Sequence, residues 1–342
     1  MRKLKLILIA LFSLLPLSLG AAEQEEGGLD MNAYIFGHVG DAYEWHITKI
    51  GDTDISIPLP CIVVDDGLHV FSSRHMEEHG YTLNDDGKLV NAATMERPLD
   101  FSITKNVLAL MINAALLVTL ILVCARWYKK HDVLKEKPRG LVALMEPVIM
   151  FVESDMIRDV IGPGYKKYAP YLMTAFFFIL TNNLMGIVPF FPGGANTTGN
   201  IAVTLVLALF TFVIVNVFAT KKYFKDIFWP DVPVFLKAIP LMPLVELMGV
   251  FTKPFSLMIR LFANTLGGHI MILSMVGLIF ISASMGAFIN GAFSVVALLL
   301  GVFLDCLEIL VAFIQAYVFT LLSAVFISLA HPDGEEQAAE QK

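Results

Sequence analysis

The sequence predicts an all-α polytopic membrane protein, and three observations carry that prediction. Hydrophobic residues make up 56% of the 342 positions, and the mean hydropathy of +0.70 is typical of a membrane protein. Apolar runs recur that reach the roughly 20 residues a helix needs to cross a bilayer. Basic residues follow the first and third of these runs, at 126–130 and 221–225. We expect about five transmembrane helices, the last two forming a long, tilted hairpin.

The first 22 residues combine a basic start, an apolar stretch and a small-residue end. This pattern predicts a secretory signal peptide, with a retained membrane anchor as the alternative. Residues 23–103 are polar, and their alternating runs and Asp-Gly turns predict an extracytoplasmic segment with β-hairpins. His75 and His79 in this segment suit a metal ion if they share a helix face. Ordinary surface histidines are the favoured interpretation, because no metal-ligand motif accompanies them.

Residues 104–331 are the predicted membrane domain. Its candidate spans are 107–123, 171–190, 201–219, the run around Arg260, and 292–330. The basic residues that follow the first and third spans place those ends in the cytoplasm. The N-terminus is therefore expected outside, and the polar tail 332–342 inside. Residues 141–161 mix acidic and apolar side chains, which predicts an amphipathic helix lying at the cytoplasmic surface.

Arg260 lies inside the apolar run 244–279. A charged side chain near the middle of a bilayer costs roughly 2.5 to 3.5 kcal/mol on insertion scales, and arginine does not escape this cost by losing its proton. At about 100° per residue, one helix face carries a polar stripe with Arg260 in it. The other members of the stripe are Glu246, Lys253, Ser256 and Asn264. His269 points about half a turn away, which suggests two aqueous routes instead of one.

The last apolar run carries Glu308 and Gln315, seven residues apart and so on one helix face. A short turn separates this run from the Arg260 run, so the two helices are expected to be antiparallel neighbours. Histidine and glutamate titrate, and asparagine and glutamine orient water, which together suits proton transfer. Two structural alternatives stay open. One is interhelical hydrogen bonding by His269 and Glu308, and the other is an ion pair between Arg260 and an acid such as Glu246 or Glu308.

Three motifs resemble subunit a of the F-type ATP synthase. They are SLMIRLFANTLGGH at 256–269, ILTNNLMGIVPF at 179–190 and EILVAFIQAYVFTLLSAVFISLA at 308–330. The resemblance covers residues 140–331, and its most specific part is the core around Arg260. It implies a stator subunit in the bacterial inner membrane that presses its last two helices against a rotating ring of c subunits. Peripheral stalk subunits of the b type and the rest of the ATP synthase are the other implied partners.

The resemblance also implies roles for individual residues. Arg260 matches the essential arginine of the family, and five positions match the lining of its two aqueous half-channels. These five are Glu246, Asn264, His269, Glu308 and Gln315. Many bacterial members carry an acid at the position of His269 and a histidine at that of Glu308, so the pair is exchanged in this chain. No cofactor is implied, and the subunit is not the part of the complex that carries out the chemistry of ATP.

A self-contained ion-coupled secondary transporter or channel is the competing function, since such proteins also place charges at the midplane. The spans show no obvious inverted repeat, and the arginine needs a carboxylate partner, so this class is less favoured. Nucleic acid is not an expected ligand. The net charge is −7, and the chain has no basic block of the kind that binds phosphate backbones.

Overall fold

The structure is a computed structural model that describes residues 37, 39–50, 53–84, 87–132, 136–228 and 241–331. The predicted signal peptide and the polar tail lie outside these residues. The chain divides into two compact units. The first contains the residues up to Ile112 together with Met185–Thr197 and His269–Asp305. The second contains Asn113–Leu184, Thr198–Gly268 and the chain from Cys306 onward.

Short β-strands occupy the N-terminal part of the first unit. They are β1 (Glu44–Ile50), β2 (Thr53–Pro58), β3 (Pro60–Val64), β4 (Leu68–Ser72), β5 (Tyr81–Leu83), β6 (Leu89–Asn91) and β7 (Leu99–Asp100). β1 pairs with β2, β3 pairs with both β4 and β7, and β5 pairs with β6, all antiparallel. Cys61, Val63, Phe71 and Leu89 are buried in a shared core. Successive side chains of β3 point to opposite faces, so Cys61 and Val63 both point inward.

Helices make up most of the remaining chain. They are α1 (Lys105–Lys130), α2 (Leu141–Met150), α3 (Ala169–Ile187), α4 (Ile201–Val217), α5 (Lys221–Phe228), α6 (Leu241–Ala283) and α7 (Ala287–Ala330). α2 continues into a π-helical segment, Phe151–Arg158, and a last turn, Asp159–Ile161. Its place at a membrane surface stays a prediction.

Within the described residues, four helices are long and apolar enough to cross a membrane: α1, α3, α6 and α7. The prediction of a mainly helical, multi-pass membrane protein is confirmed. α4 is apolar but only 17 residues long. It falls just short of the length that a perpendicular span needs, so the count of five spans stays a prediction.

The buried core of the second unit brings its helices together. Phe176 of α3, Leu257 and Leu261 of α6, and Phe319 and Ile327 of α7 belong to one cluster, and each is at most 1% exposed. Side chains this well buried in a shared cluster fix the rotation of each helix. The faces of α6 and α7 that carry these residues therefore point into the core of the second unit.

Tyr43 and Asp100 connect distant parts of the β-rich region. The Tyr43 hydroxyl donates to Asp100 Oδ2 at 2.5 Å and accepts from the Leu89 amide at 3.3 Å. Asp100 Oδ1 also accepts from the Ser102 amide at 2.9 Å. Burial, and then the neighbouring Asp100, raise the pKa of Tyr43 far above its ordinary value. Tyr43 therefore stays a neutral donor and holds β7 against the core.

Asp41 ties the β-rich region to the start of α1. Its carboxylate accepts from the Thr104 hydroxyl at 2.8 Å and from the Asn106 amide at 3.1 Å, which caps the helix. The Lys105 amide donates to the Ala42 carbonyl at 2.8 Å. Trp45 packs with Ala109 of α1 in a small cluster of its own. The β-rich region is thus fixed to the first turns of α1 by several independent contacts.

We expect Tyr43→Phe to weaken the β-rich region by about 1 to 3 kcal/mol, because Asp100 loses its donor and the Leu89 amide its acceptor. Because the pKa of Tyr43 is higher in the folded than in the unfolded state, its contribution to stability is complete below the unfolded pKa of about 10. This contribution is lost as the pH rises from there through the folded-state pKa. The unmodified protein should therefore lose protection above about pH 10, and the variant should lack this loss. Hydrogen exchange of the Leu89 and Val63 amides measures both effects.

Ser56→Ala is the matched control, since the Ser56 hydroxyl bonds Glu44 at an exposed site. Its effect should stay within about 0.5 kcal/mol. Equal exchange rates in Tyr43→Phe and the unmodified protein at neutral pH would contradict the role given to Tyr43.

Candidate functional site

α6 has one buried face and one exposed face around Arg260. Leu257 and Leu261 are 1% and 0% exposed and point into the core of the second unit. Phe255 and Ile259 are 60% and 39% exposed, and the arginine lies on this open side with them. At about 100° per residue, Arg260 lies beside this buried pair on the helix, and its side chain is exposed.

The polar stripe predicted on α6 is largely exposed. Glu246, Ser256, Arg260 and Asn264 are all exposed. Lys253 is partly buried, and its Nζ lies 5.6 Å from the centroid of the Phe326 ring in α7. Pro254 lies inside α6 without ending the helix. The stripe therefore runs along one continuous helix.

Arg260 makes no ion pair within the part of the chain that the structure describes. The structural alternative, a pair with Glu246 or Glu308 that fixes the helix register, is therefore wrong for the described residues. A guanidinium left among apolar helices needs water or an acid to compensate its charge. Arg260 is exposed in this structure, so its guanidinium is accessible to water or to an acid.

α6 and α7 are joined close to Arg260 by two contacts. Asn264 Nδ2 donates to Gln315 Oε1 at 2.8 Å, one turn beyond Arg260. One turn further on, a Cβ built on Gly268 would lie 3.0 Å from Glu308 Oε1. As the residue number rises along α6 from 264 to 268, the contacted residue in α7 falls from 315 to 308, so these parts of the two helices are antiparallel. Asn264, Gln315 and Glu308 lie together in the second unit, on neighbouring turns of the two helices.

Gln315 is buried, at 2% exposure. Its Oε1 accepts from Asn264, while its Nε2 has no hydrogen-bond partner among the described residues. A buried amide with a free donor is uncommon, because nearly all such groups bond to protein or to ordered water. The Gln315 amide can therefore bind a water molecule beside the Glu308 turn.

His269 belongs to the first unit and lies near Gly186 of the same unit. A Cβ built on Gly186, near the end of α3, would lie 3.2 Å from His269 Nε2. Lys105, at the start of α1, is 9% exposed and interacts electrostatically with both Asp41 and His269. Sequence reasoning missed Lys105, because its position at the end of an apolar run is typical of an ordinary flanking lysine.

Several buried amides and hydroxyls of the second unit were not singled out as site residues from the sequence. Asn113 of α1 donates through Nδ2 to Asn182 Oδ1 of α3 at 2.9 Å. The Thr198 hydroxyl donates to Asn183 Oδ1 at 2.5 Å and contacts Thr265 Oγ1 at 3.3 Å. Two adjacent asparagines in an apolar run, Asn182 and Asn183, are a sequence pattern that indicates buried polar contacts. A single asparagine such as Asn113 is a much weaker indication.

Glu246 lies toward the other end of α6. Burial, and then the negative charge of Glu246, raise the pKa of the Tyr223 hydroxyl in α5. Tyr223 and Lys253 also line a small pocket together with Phe326. Glu246 is therefore separated from Asn264 by five helical turns of α6 and has a different set of neighbours.

These features define a polytopic helical membrane protein with polar and charged residues along two of its helices. The family model described as ATP synthase A chain matches residues 107–328. The chain belongs to this family. A second model, described as Domain of unknown function (DUF8433), matches residues 34–104. The β-rich region therefore has a counterpart in other proteins, but no activity is attached to it.

Curated relatives carry the name ATP synthase subunit a. One, from Chlorobium phaeobacteroides, is 40% identical over 275 residues, which is 77% of each chain. Another, from Chloroherpeton thalassium, is 41% identical over 246 residues, or 70% of each chain. A relative from an Anaeromyxobacter species is 34% identical over 341 residues, covering 94% of this chain and 77% of its own.

The adjacent glycines Gly267 and Gly268 give a matched pair of substitutions. A Cβ at Gly268 would press on the Glu308 carboxylate, whereas a Cβ at Gly267 has nothing within 4 Å. Both changes to alanine favour the helix equally. We expect Gly268→Ala to lower proton transport per assembled complex by about two- to tenfold, since a misplacement of about 1 Å can cost about 100-fold.

Gly267→Ala should stay within about twofold of the unmodified complex, as a substitution that meets no neighbour has little effect. ATP-driven acidification of inverted vesicles, normalised to the amount of complex, gives the rates. Equal rates for the two variants would show that the position of the Glu308 carboxylate does not matter for transport.

Proposed function

We propose that the chain is the proton-translocating stator subunit of an F-type ATP synthase and that Arg260 is its charge partner for a rotating ring. Family membership supports the subunit assignment over a self-contained transporter. The observation that carries the role of Arg260 is its exposed position on α6 with no ion pair among the described residues. A ring of c subunits, each with a membrane carboxylate, supplies the compensating charge.

Arg260 acts on each ring carboxylate as it passes. The fixed positive charge favours the ionised carboxylate, so a protonated carboxylate that arrives releases its proton. A carboxylate that has taken up a proton is neutral and turns into lipid at a tolerable cost. Arg260 also separates the two half-channels, because a stationary cation repels a proton that would pass directly between them.

The intake half-channel runs from the outside to the ring past His269, Asn264, Glu308 and Gln315. The joined pair Asn264 and Gln315 supports this assignment, since it lies one turn from Arg260. His269 and Glu308 are the titratable groups, and the two amides orient water. The exchange of acid and histidine relative to many bacterial members fits one shared task for the two positions.

The release half-channel runs to the cytoplasm past Glu246. Glu246 is exposed on the same stripe as Arg260, and its negative charge contributes to the raised pKa of Tyr223. Both observations support a polar environment around Glu246. Each proton that moves down 100 mV contributes about 2.3 kcal/mol, so several protons are needed for each ATP. The ATP chemistry belongs to other subunits of the complex.

The protein is multi-pass in the bacterial cell membrane, and its orientation follows from the loop charges. Basic residues after α1 and α4 place those ends in the cytoplasm, with the N-terminus outside and the C-terminus inside. Residues 1–22 act as a signal peptide, and residues 23–103 form a separate extracytoplasmic region. Peripheral stalk subunits of the b type hold residues 104–331 against the ring.

The test of the proposal is Arg260→Ala in the intact complex. ATP-driven acidification of inverted vesicles should fall at least about 100-fold at matched assembly, as expected when a buried charge loses its partner at a cost of about 3 to 5 kcal/mol. Ser256→Ala, one turn earlier on the same exposed stripe, is the control and should pump normally. Full pumping by Arg260→Ala would remove the arginine from the mechanism.

The exchanged pair gives a second test. His269→Glu and Glu308→His should each lower transport by at least about tenfold, and the double variant should recover most of it, because coupled positions deviate from additivity by about 0.5 to 3 kcal/mol. Transport rates per assembled complex in all four proteins complete the cycle. Additive losses in the double variant would show that the two positions do not share one task.

A further inference from the structure

A buried pair of amides links α1 to α3 in the second unit. Asn113 and Asn182 are 3% and 1% exposed, and Asn113 Nδ2 donates to Asn182 Oδ1 at 2.9 Å. Asn182 Nδ2 in turn donates to the Phe178 carbonyl at 2.8 Å. Asn113 Oδ1 is buried and has no hydrogen-bond partner among the described residues. The first helix thus places a free, buried acceptor next to α3.

Two further sets of polar contacts in the second unit involve residues that are adjacent to this pair or to each other in sequence. Asn183 follows Asn182 in the chain and accepts from Thr198, whose hydroxyl is 3.3 Å from Thr265. Thr265 follows Asn264, which donates to Gln315. Every group in this set is an amide or a hydroxyl, and none of them is charged. At its α7 end, Gln315 Nε2 is also buried without a partner in the described chain.

Two buried atoms without a hydrogen-bond partner in the described chain, Asn113 Oδ1 and Gln315 Nε2, indicate water as the ligand. Buried polar atoms are nearly always hydrogen-bonded, and an ordered water with several polar partners commonly supplies the bond. An amide suits a water-filled route for protons, because it both donates and accepts without carrying charge. A charged side chain at the same place would hold the proton or repel it.

We propose that Asn113 is a positioning residue that holds water in the intake half-channel, so that α1 forms part of the wall of the proton path. The inference rests on the proposed function and adds a helix that carries none of the residues assigned to the path above. A purely structural role, interhelical bonding between Asn113 and Asn182, predicts that the site is dry and that only assembly depends on it.

Water access is tested with Asn113→Cys in the reconstituted complex, using silver ion as the probe. A thiol exposed to water loses its proton and bonds Ag⁺, which places a large group in the route. Proton transport by this variant should fall at least about fivefold on addition of silver, because only a wet thiol forms the reactive thiolate. The unmodified complex measures the background from Cys61, Cys124 and Cys306.

Thr119→Cys is the matched control, since Thr119 is exposed on the same helix and bonds only its own helix, at the Ala115 carbonyl. It should change by less than about twofold with silver, as expected of a surface position. Silver-insensitive transport by Asn113→Cys, in a complex that assembles, would overturn the inference.

The role of Asn113 is tested with Asn113→Leu against Asn113→Ser. Leucine excludes water and should lower transport per assembled complex by at least about fivefold, whereas serine retains a hydroxyl and should stay within about twofold. Lower assembly with unchanged transport per complex would show a structural role and overturn the inference. If leucine prevents assembly, the silver result with Asn113→Cys decides. These outcomes are independent of Arg260→Ala, which alone tests the proposed function.

Discussion

A positive charge that keeps its proton among apolar helices is the constraint on which the rest of this structure depends. Arginine does not become neutral under any physiological condition, so its surroundings must supply an acid or water. Within the described residues, the chain provides no ion pair for Arg260, and the neighbouring Leu257 and Leu261 are buried. Water or an acid must therefore compensate this charge, and the proposed ring carboxylate is such an acid.

The contacts between α6 and α7 bring polar side chains together on the helical turns that follow Arg260. Asn264 bonds Gln315 one turn beyond Arg260, and Gly268 leaves room for the Glu308 carboxylate one turn further. A Cβ at Gly268 would lie 3.0 Å from Glu308 Oε1, so the carboxylate would have to shift slightly to accommodate a side chain there. Asn264 thus joins α6 to α7 and belongs to the polar stripe of Arg260, so interhelical packing and the polar groups share one side of α6.

The helices of the membrane domain could largely be predicted, because they follow from local patterns in the sequence. The lengths of α1, α3, α6 and α7 follow from apolar runs, and the stripe around Arg260 follows from helical periodicity. Pairings across long sequence separations were not predictable. Asn113 meets Asn182, 69 residues away, and Tyr43 meets Asp100, 57 residues away. Such contacts depend on how elements pack, which a single sequence does not encode in any periodic form.

The central claim is that Arg260 faces a carboxylate of a rotating ring. Electron cryomicroscopy of the intact complex in lipid tests it most directly, because it shows what covers the open face of α6. The account predicts a ring helix against Phe255, Ile259 and Arg260, with a ring carboxylate as the nearest acid to the guanidinium. A guanidinium paired with Glu246 or Glu308, or covered by a subunit that has no membrane carboxylate, would contradict it.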